Sequence, residues 1–342
     1  MILVKFTSTF PDWPILRQTP GGRGVWGDCR FIVNRPVDKC DWWVVYEGLL
    51  NTETTKCPSE NTIYVEPEPP SVRSREKWYL DQFSHIISCH TDLKHSNVIK
   101  KQQALPWHVG KLSISGARHD QLGYTNSEST GFLRDYDEFK RQGIIPKLKL
   151  LSVISSDKAF TSGHRKRLDF VRMLQDHFGS SIDVFGRGIR DIEDKWDAIA
   201  EYKYHIAIEN SSYDDYWTEK LSDCYLAGAY PFYYGCPNLY EYFPLGSFTK
   251  IDIDEPEKAI STIESVINSN TYEASTQALS SAKNLVLDKH NLFAMLSEFI
   301  STKIAERANA TQLQRQYITL RPIEEKPFFY RIIDKAKSYT TR

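Results

Sequence analysis

Residues 202–237 gather the side chains best able to do chemistry. Glu209, Asn210 and Ser211 follow an apolar run with the look of a buried strand. A polar loop carrying Tyr216 comes next, and Thr218, Glu219 and Lys220 then open what reads as a helix. A strand would deliver the first three residues to its carboxyl end. The helix head would add free N–H groups and the positive end of its dipole. With Lys220, that makes a place for an anion such as a diphosphate, and Glu219 offers a carboxylate to a pair of ribose hydroxyls. The same residues fit a plain strand, loop and helix with a capping Glu and a solvated Lys, and the physical reading leaves both open.

The elements that must position these groups show in the rhythm of the chain. From residue 148 on, apolar runs at 148–154, 182–185, 204–209, 229–233 and 248–253 read as strands. Helical spacing at 162–178, 192–201, 218–226, 256–267, 272–287 and 292–307 falls between and after them. Such alternation predicts a parallel, doubly wound sheet, with ligands at the carboxyl ends of its strands. The first part has short strand-like runs at 3–6, 42–46, 62–65 and 85–88. The polar stretch 116–147 reads as a linker or a site loop. We therefore expect an N-terminal lobe over 1–145, a nucleotide-binding lobe over 146–310, and a tail over 311–342 that packs back on the body.

A chain of 342 residues is long enough for two such lobes. Its 43 Lys and Arg against 44 Asp and Glu lack the basic excess expected of a nucleic-acid wrapper, so no nucleic-acid partner is expected. No apolar run approaches a membrane span, and the first ten residues lack the form of a signal peptide, so a cytoplasmic location is expected. The six cysteines contain no C-x-x-C pair, which speaks against zinc and, in that compartment, against disulfides. A tail dotted with Arg, Lys and aromatic residues leaves a peripheral membrane contact open beside the favoured packing. Oligomeric state is not readable.

The segment resembles the signature of the α-1,3-fucosyltransferases, glycosyltransferase family 10. Tyr202-Lys203-Tyr204, Glu209-Asn210, Tyr216-Trp217-Thr218-Glu219-Lys220, Ala227-Gly228, Pro231 and Gly235-Cys236-Pro237 occupy the places of its donor motif in order. Ile182-Asp183-Val184-Phe185-Gly186-Arg187-Gly188 is similar to a second family strand, and Arg167-Leu168-Asp169-Phe170 to its Arg-x-x-Phe. The resemblance implies two Rossmann-like lobes facing a cleft, the GT-B architecture, with GDP-fucose on the C-terminal lobe and an oligosaccharide acceptor on the other. It implies inverting transfer of L-fucose to a galactose- or N-acetylglucosamine-type glycan, without a metal or other cofactor. The donor set would be Arg167, Gly186, Glu209, Asn210, Ser211, Tyr216, Thr218, Glu219 and Lys220, with Arg165 the competitor of Arg167 for phosphate.

Tyr64-Val65-Glu66-Pro67-Glu68 looks like the family's strand end followed by Glu-x-Glu, which implies Glu66 as the base and Glu68 as the fallback. Partial burial at a strand end would suit a base by raising its pKa. Asp135-Tyr136-Asp137 and Asp252-Ile253-Asp254 match the D-x-D of metal-dependent transferases, a pattern common by chance. His85, His90 and His108 are more simply structural than functional. Two other readings stay open: another nucleotide sugar used for an O-antigen or capsule, or a catalytically silent glycan-binding protein. The absence of a stem resembles bacterial members and points to surface glycans such as lipopolysaccharide.

Overall fold

The computed structural model describes residues 1–11, 13–110, 134–155, 162–186, 188–307 and 313–326. The chain forms two compact units. The first takes Met1–Trp13, Gly24–Gln103 and Leu296–Arg342, and the second Pro14–Arg23 and Ala104–Met295. The partition therefore differs from a cut at 145/146. Residues 104–145 go with the second unit, and the end of the last helix returns to the first.

The first unit holds strands β1 (Ile2–Ser8), β2 (Val25–Trp26), β3 (Cys29–Val33), β4 (Trp42–Tyr46), β5 (Glu53–Cys57), β6 (Thr62–Val65), β7 (His85–Ser88) and β8 (Val98–Lys100). Helix α1 (Lys77–Leu80) lies between β6 and β7. The sheet order is β2-β3-β1-β4-β6-β7-β8, parallel except for the β2–β3 pair. Trp42 to Tyr46 are all buried, as expected for a strand covered on both faces. Trp43 and Tyr64 join a core with Trp78, Tyr79 and Phe83, so these rings fill space. His85 and His90 are buried and bonded to the backbone oxygens of Glu60 and Glu68, in keeping with structural roles.

The second unit holds α2 (Tyr136–Arg141), β9 (Lys149–Ile154), α3 (Ser162–Phe178), β10 (Ile182–Phe185), α4 (Lys195–Ile199), β11 (Tyr202–Ile208), α5 (Glu219–Leu226), β12 (Tyr230–Tyr234), β13 (Thr249–Lys250), α6 (Pro256–Asn268), α7 (Thr271–Ala274), α8 (Thr276–Asp288) and the start of α9 (Leu292–Glu306). Its sheet, β10-β9-β11-β12-β13, is parallel throughout. Strand order reverses between β9 and β11, which opens a crevice at their carboxyl ends. The expected helix over 272–287 breaks at Ser275 into α7 and α8. The stretch from 248 forms only the two-residue β13.

A final strand, β14 (Gln316–Leu320), pairs antiparallel with β5 in the first unit. The described part of the tail thus packs. Residues 327–342, and 116–133 of the polar stretch, lie outside the described residues. Among the described residues no helix is long and apolar enough to cross a membrane.

Candidate active site

β11 ends at the switch point and hands the chain to Glu209, a residue 2% exposed. The Glu209 carboxylate accepts from the Thr218 N–H at 2.7 Å and from Thr218 Oγ1 at 2.8 Å to Oε2. Gly235 makes room for it: a Cβ there would come within 2.5 Å of Glu209 Cγ, at a φ of +153°. Thr218 caps α5, accepting from the Lys220 N–H, which fixes where the helix begins. Asn210, beyond the strand end, accepts at 3.0 Å from Nη1 of Arg167, which α3 supplies. Arg167 is buried and Arg165 exposed, so the structure brings Arg167 to this loop.

At the head of α5 the charges alternate. Lys220 Nζ lies 3.1 Å from Thr218 Oγ1, 3.2 Å from Glu209 Oε2 and 3.4 Å from Glu219 Oε1. Glu219 Oε1 is also 3.2 Å from Lys195 Nζ and 3.8 Å from His108 Nδ1. Burial works against the charge on both Glu219 and Lys220, but their ion pairs win. The two lysines hold the Glu219 carboxyl well below its usual range, and Glu209 and Glu219 keep Lys220 protonated. Glu209 shifts the other way: burial pushes it up, against the pull of Lys220. His108 is pushed down to about 3 by burial and stands as a neutral imidazole.

Two further carboxylates stand behind this head. Asp223, one turn after Glu219, accepts the N–H groups of His108 and Val109 on Oδ1, at 3.0 and 3.2 Å. Burial lifts it to about 6. Asp194 caps α4, accepting from Trp196 and Gly110 on Oδ1, while its Oδ2 has no partner among the described residues. Burial lifts Asp194 to about 7. Arg17 completes the clamp by donating to the carbonyls of Trp107 and Val109. The sequence reading missed Lys195 and Asp223. Helical spacing was the available signal for Asp223, which lies four residues after Glu219 and so on the same face.

The remaining expected donor residues are placed as follows. Gly186 ends β10 with φ +131°, and a Cβ there would meet Ser155 O at 2.0 Å, so its place in the fold is a close strand contact. Tyr216 is buried, and its carbonyl lies 3.5 Å from the Tyr233 hydroxyl. Ser211 is half-buried in the loop after β11. Both D-x-D sequences are spent locally. Asp135 forms a capping box with Glu138, Asp137 accepts from Gly21, Asp252 accepts from the Asp254 N–H, and Asp254 pairs with Lys166. Among the described residues no group of three or more His, Cys, Asp or Glu side chains is arranged to hold a metal.

Glu66, at the end of β6 in the first unit, has no exposed surface. Its Oε2 accepts from Arg75 Nε at 2.6 Å and from the Tyr64 hydroxyl at 2.8 Å, and its Oε1 accepts from the Glu68 N–H at 3.2 Å. Arg73 Nη1 adds a cation 3.8 Å from Oε1. The partial burial expected of a base is here complete burial within an ion-pair network. Glu68, two residues on, is half-buried.

The second unit is thus doubly wound, with cations and carboxylates gathered at its strand ends and at a helix head. The model of the glycosyltransferase family 10 (fucosyltransferase) C-terminal domain matches residues 145–275. GDP-fucose protein O-fucosyltransferase 3 of Danio rerio is 34% identical over 119 residues, covering 30% of this chain and 26% of that protein. Alpha-(1,3)-fucosyltransferase 4 of Mus musculus is 37% identical over 109 residues, covering 28% and 23%. The chain thus spans about a quarter of the length of these relatives. A solved α1,3-fucosyltransferase with GDP is 15% identical, with a TM-score of 0.49 over 89% of this chain and 91% of that one.

Proposed function

We propose that this chain transfers L-fucose from GDP-fucose to a hydroxyl of a galactose- or N-acetylglucosamine-type glycan, in one displacement with inversion. The observation that carries the reading is the head of α5, where Lys220 stays protonated beside an ionised Glu219 within the family-matched segment. The names of the matched relatives support fucose as the transferred sugar. Lys220 and Arg167 would meet the diphosphate. Preorganised cations there stabilise the charge that grows on the leaving phosphate as the glycosidic bond breaks. Glu219 would take the ribose hydroxyls, and Asn210, Ser211 and Thr218 would line the loop around the donor. No metal is assigned a role.

The base is a carboxylate at the end of β6. The family resemblance points to Glu66, and the structure leaves Glu68 the more accessible of the two. Either would accept the proton of the acceptor hydroxyl as that oxygen attacks the anomeric carbon. We also propose that the protein acts in the cytoplasm on a surface-glycan precursor.

Calorimetric titration with GDP-fucose, GDP-mannose, UDP-galactose and CMP, with and without EDTA, tests the donor assignment. EDTA-insensitive binding of GDP-fucose supports it. Preference for UDP or CMP compounds replaces the sugar but keeps the class, and binding of none favours a silent glycan-binding protein. Lys220→Ala is expected to lower donor affinity and turnover together, because the ammonium meets phosphate in both ground and transition states.

A further inference from the structure

Among the described residues, Lys195 is the cation at the head of α5 that the reading above leaves without a task. Its Nζ lies 3.2 Å from Glu219 Oε1, 3.6 Å from Asp223 Oδ2 and 3.4 Å from His108 Nδ1. The helix carrying it is short, but its start is fixed by the Asp194 cap. Lys220, by contrast, already divides itself among Thr218, Glu209 and Glu219.

A diphosphate arriving at this head competes for Lys220 with Glu219. Were Lys220 the sole cation of Glu219, the exchange would strand a buried carboxylate, and a buried charge without its partner is costly. The charge balance sharpens the point. Glu209, Glu219 and Asp223 converge here against Lys220 and Lys195, with His108 neutral. Without Lys195, a single ammonium would serve three carboxylates, and an incoming dianion would face a negative field.

We propose that Lys195 is a positioning residue: it remains the counter-ion of Glu219 and so releases Lys220 to the diphosphate of the nucleotide sugar. The inference rests on reading the head of α5 as a diphosphate site. It separates the ligand by parts: with a nucleoside alone Lys220 stays on Glu219, so the ribose contact keeps its ionised carboxylate and the loss of Lys195 falls on the phosphates.

The test titrates wild type, Lys195→Met and Lys195→Arg with GDP by calorimetry and with guanosine by ligand-observed NMR. Lys195→Met is expected to weaken GDP by about tenfold, the scale of one charge-assisted contact, and to leave guanosine unchanged. Lys195→Arg is expected to recover most of that loss. In a Glu219→Gln background, where Asp223 alone still faces Lys195, Lys195→Met is expected to cost clearly less than in wild type, the non-additivity of a coupled pair. Equal loss of GDP and guanosine in Lys195→Met would mean that the lysine only props up the fold. Unchanged GDP affinity would equally overturn the role, and both results leave the donor site itself standing. Wild type that binds neither GDP nor guanosine would instead remove the reading on which the role depends.

Discussion

Carboxylates in this molecule differ less in kind than in the company they keep. Glu219 is held ionised by two lysines, whereas Asp194, equally deep, meets only N–H groups on one oxygen. Burial lifts its pKa from the ordinary 3.8 to about 7, so the folded state binds the extra proton in that window. The stabilisation from burying the neutral acid is therefore complete below about pH 3.8 and is lost as pH rises through about 7. Asp194→Asn keeps an oxygen for Gly110 and Trp196 and removes the titration. Relative to wild type, its unfolding free energy is expected to lose that downward slope between pH 4 and 7, as urea denaturation across pH would show. Glu66 is the opposite case, because Arg75 depends on it. Glu66→Gln is expected to destabilise the fold by about 3 kcal/mol, since it leaves a buried guanidinium without its carboxylate. Turnover must accordingly be measured on the folded fraction, beside Glu68→Gln, and the base is the residue whose change lowers kcat per folded molecule.

The elements behave as stops and spacers for these residues. Gly235 ends β12 in a conformation that L-residues avoid, and its missing Cβ is the space Glu209 occupies. Gly235→Ala is expected to cost about 2 kcal/mol or more and to weaken GDP binding, because Glu209 must move and takes Thr218 with it. Thermal unfolding with and without GDP would separate the two effects. Much of this element layer was legible in the sequence. β4, β6 and β7 fall where apolar, β-branched runs are bounded by Pro, Asn or Asp, and α3 matches its apolar spacing. The helix head was legible because Thr218-Glu219-Lys220 is contiguous. Lys195 was not, because it reaches Glu219 from a separate short helix across 24 residues of sequence. The ion pairs of Glu66 were hidden for a similar reason: Arg73 and Arg75 lie in an irregular loop, and nothing periodic aims them back at β6. The β5–β14 pairing joins residues more than 250 apart, beyond the reach of any local pattern.

At the scale of the molecule, that last pairing decides what the first unit needs. Among the described residues β5 finds its only strand partner in β14, and Arg315 donates to the Cys40 carbonyl and pairs with Asp41. The same unit receives the end of α9, where Arg307 Nη1 reaches Asn61 Oδ1 at 2.6 Å. Removing residues 313–342 is expected to lower the unfolding temperature of the first unit by several degrees, about the effect of 1–2 kcal/mol on a domain of this size, while GDP affinity stays near wild type. Calorimetry and titration of the truncated chain would check both halves of the statement. The second unit, lying between residues 14 and 295, has all its parts once that segment exists. The first unit begins at Met1 but does not hold its own last strand until residue 320 has been made. On a ribosome β5 therefore stays without its β14 partner until after the whole second unit has been made, so this last part of the first unit's stability arrives late.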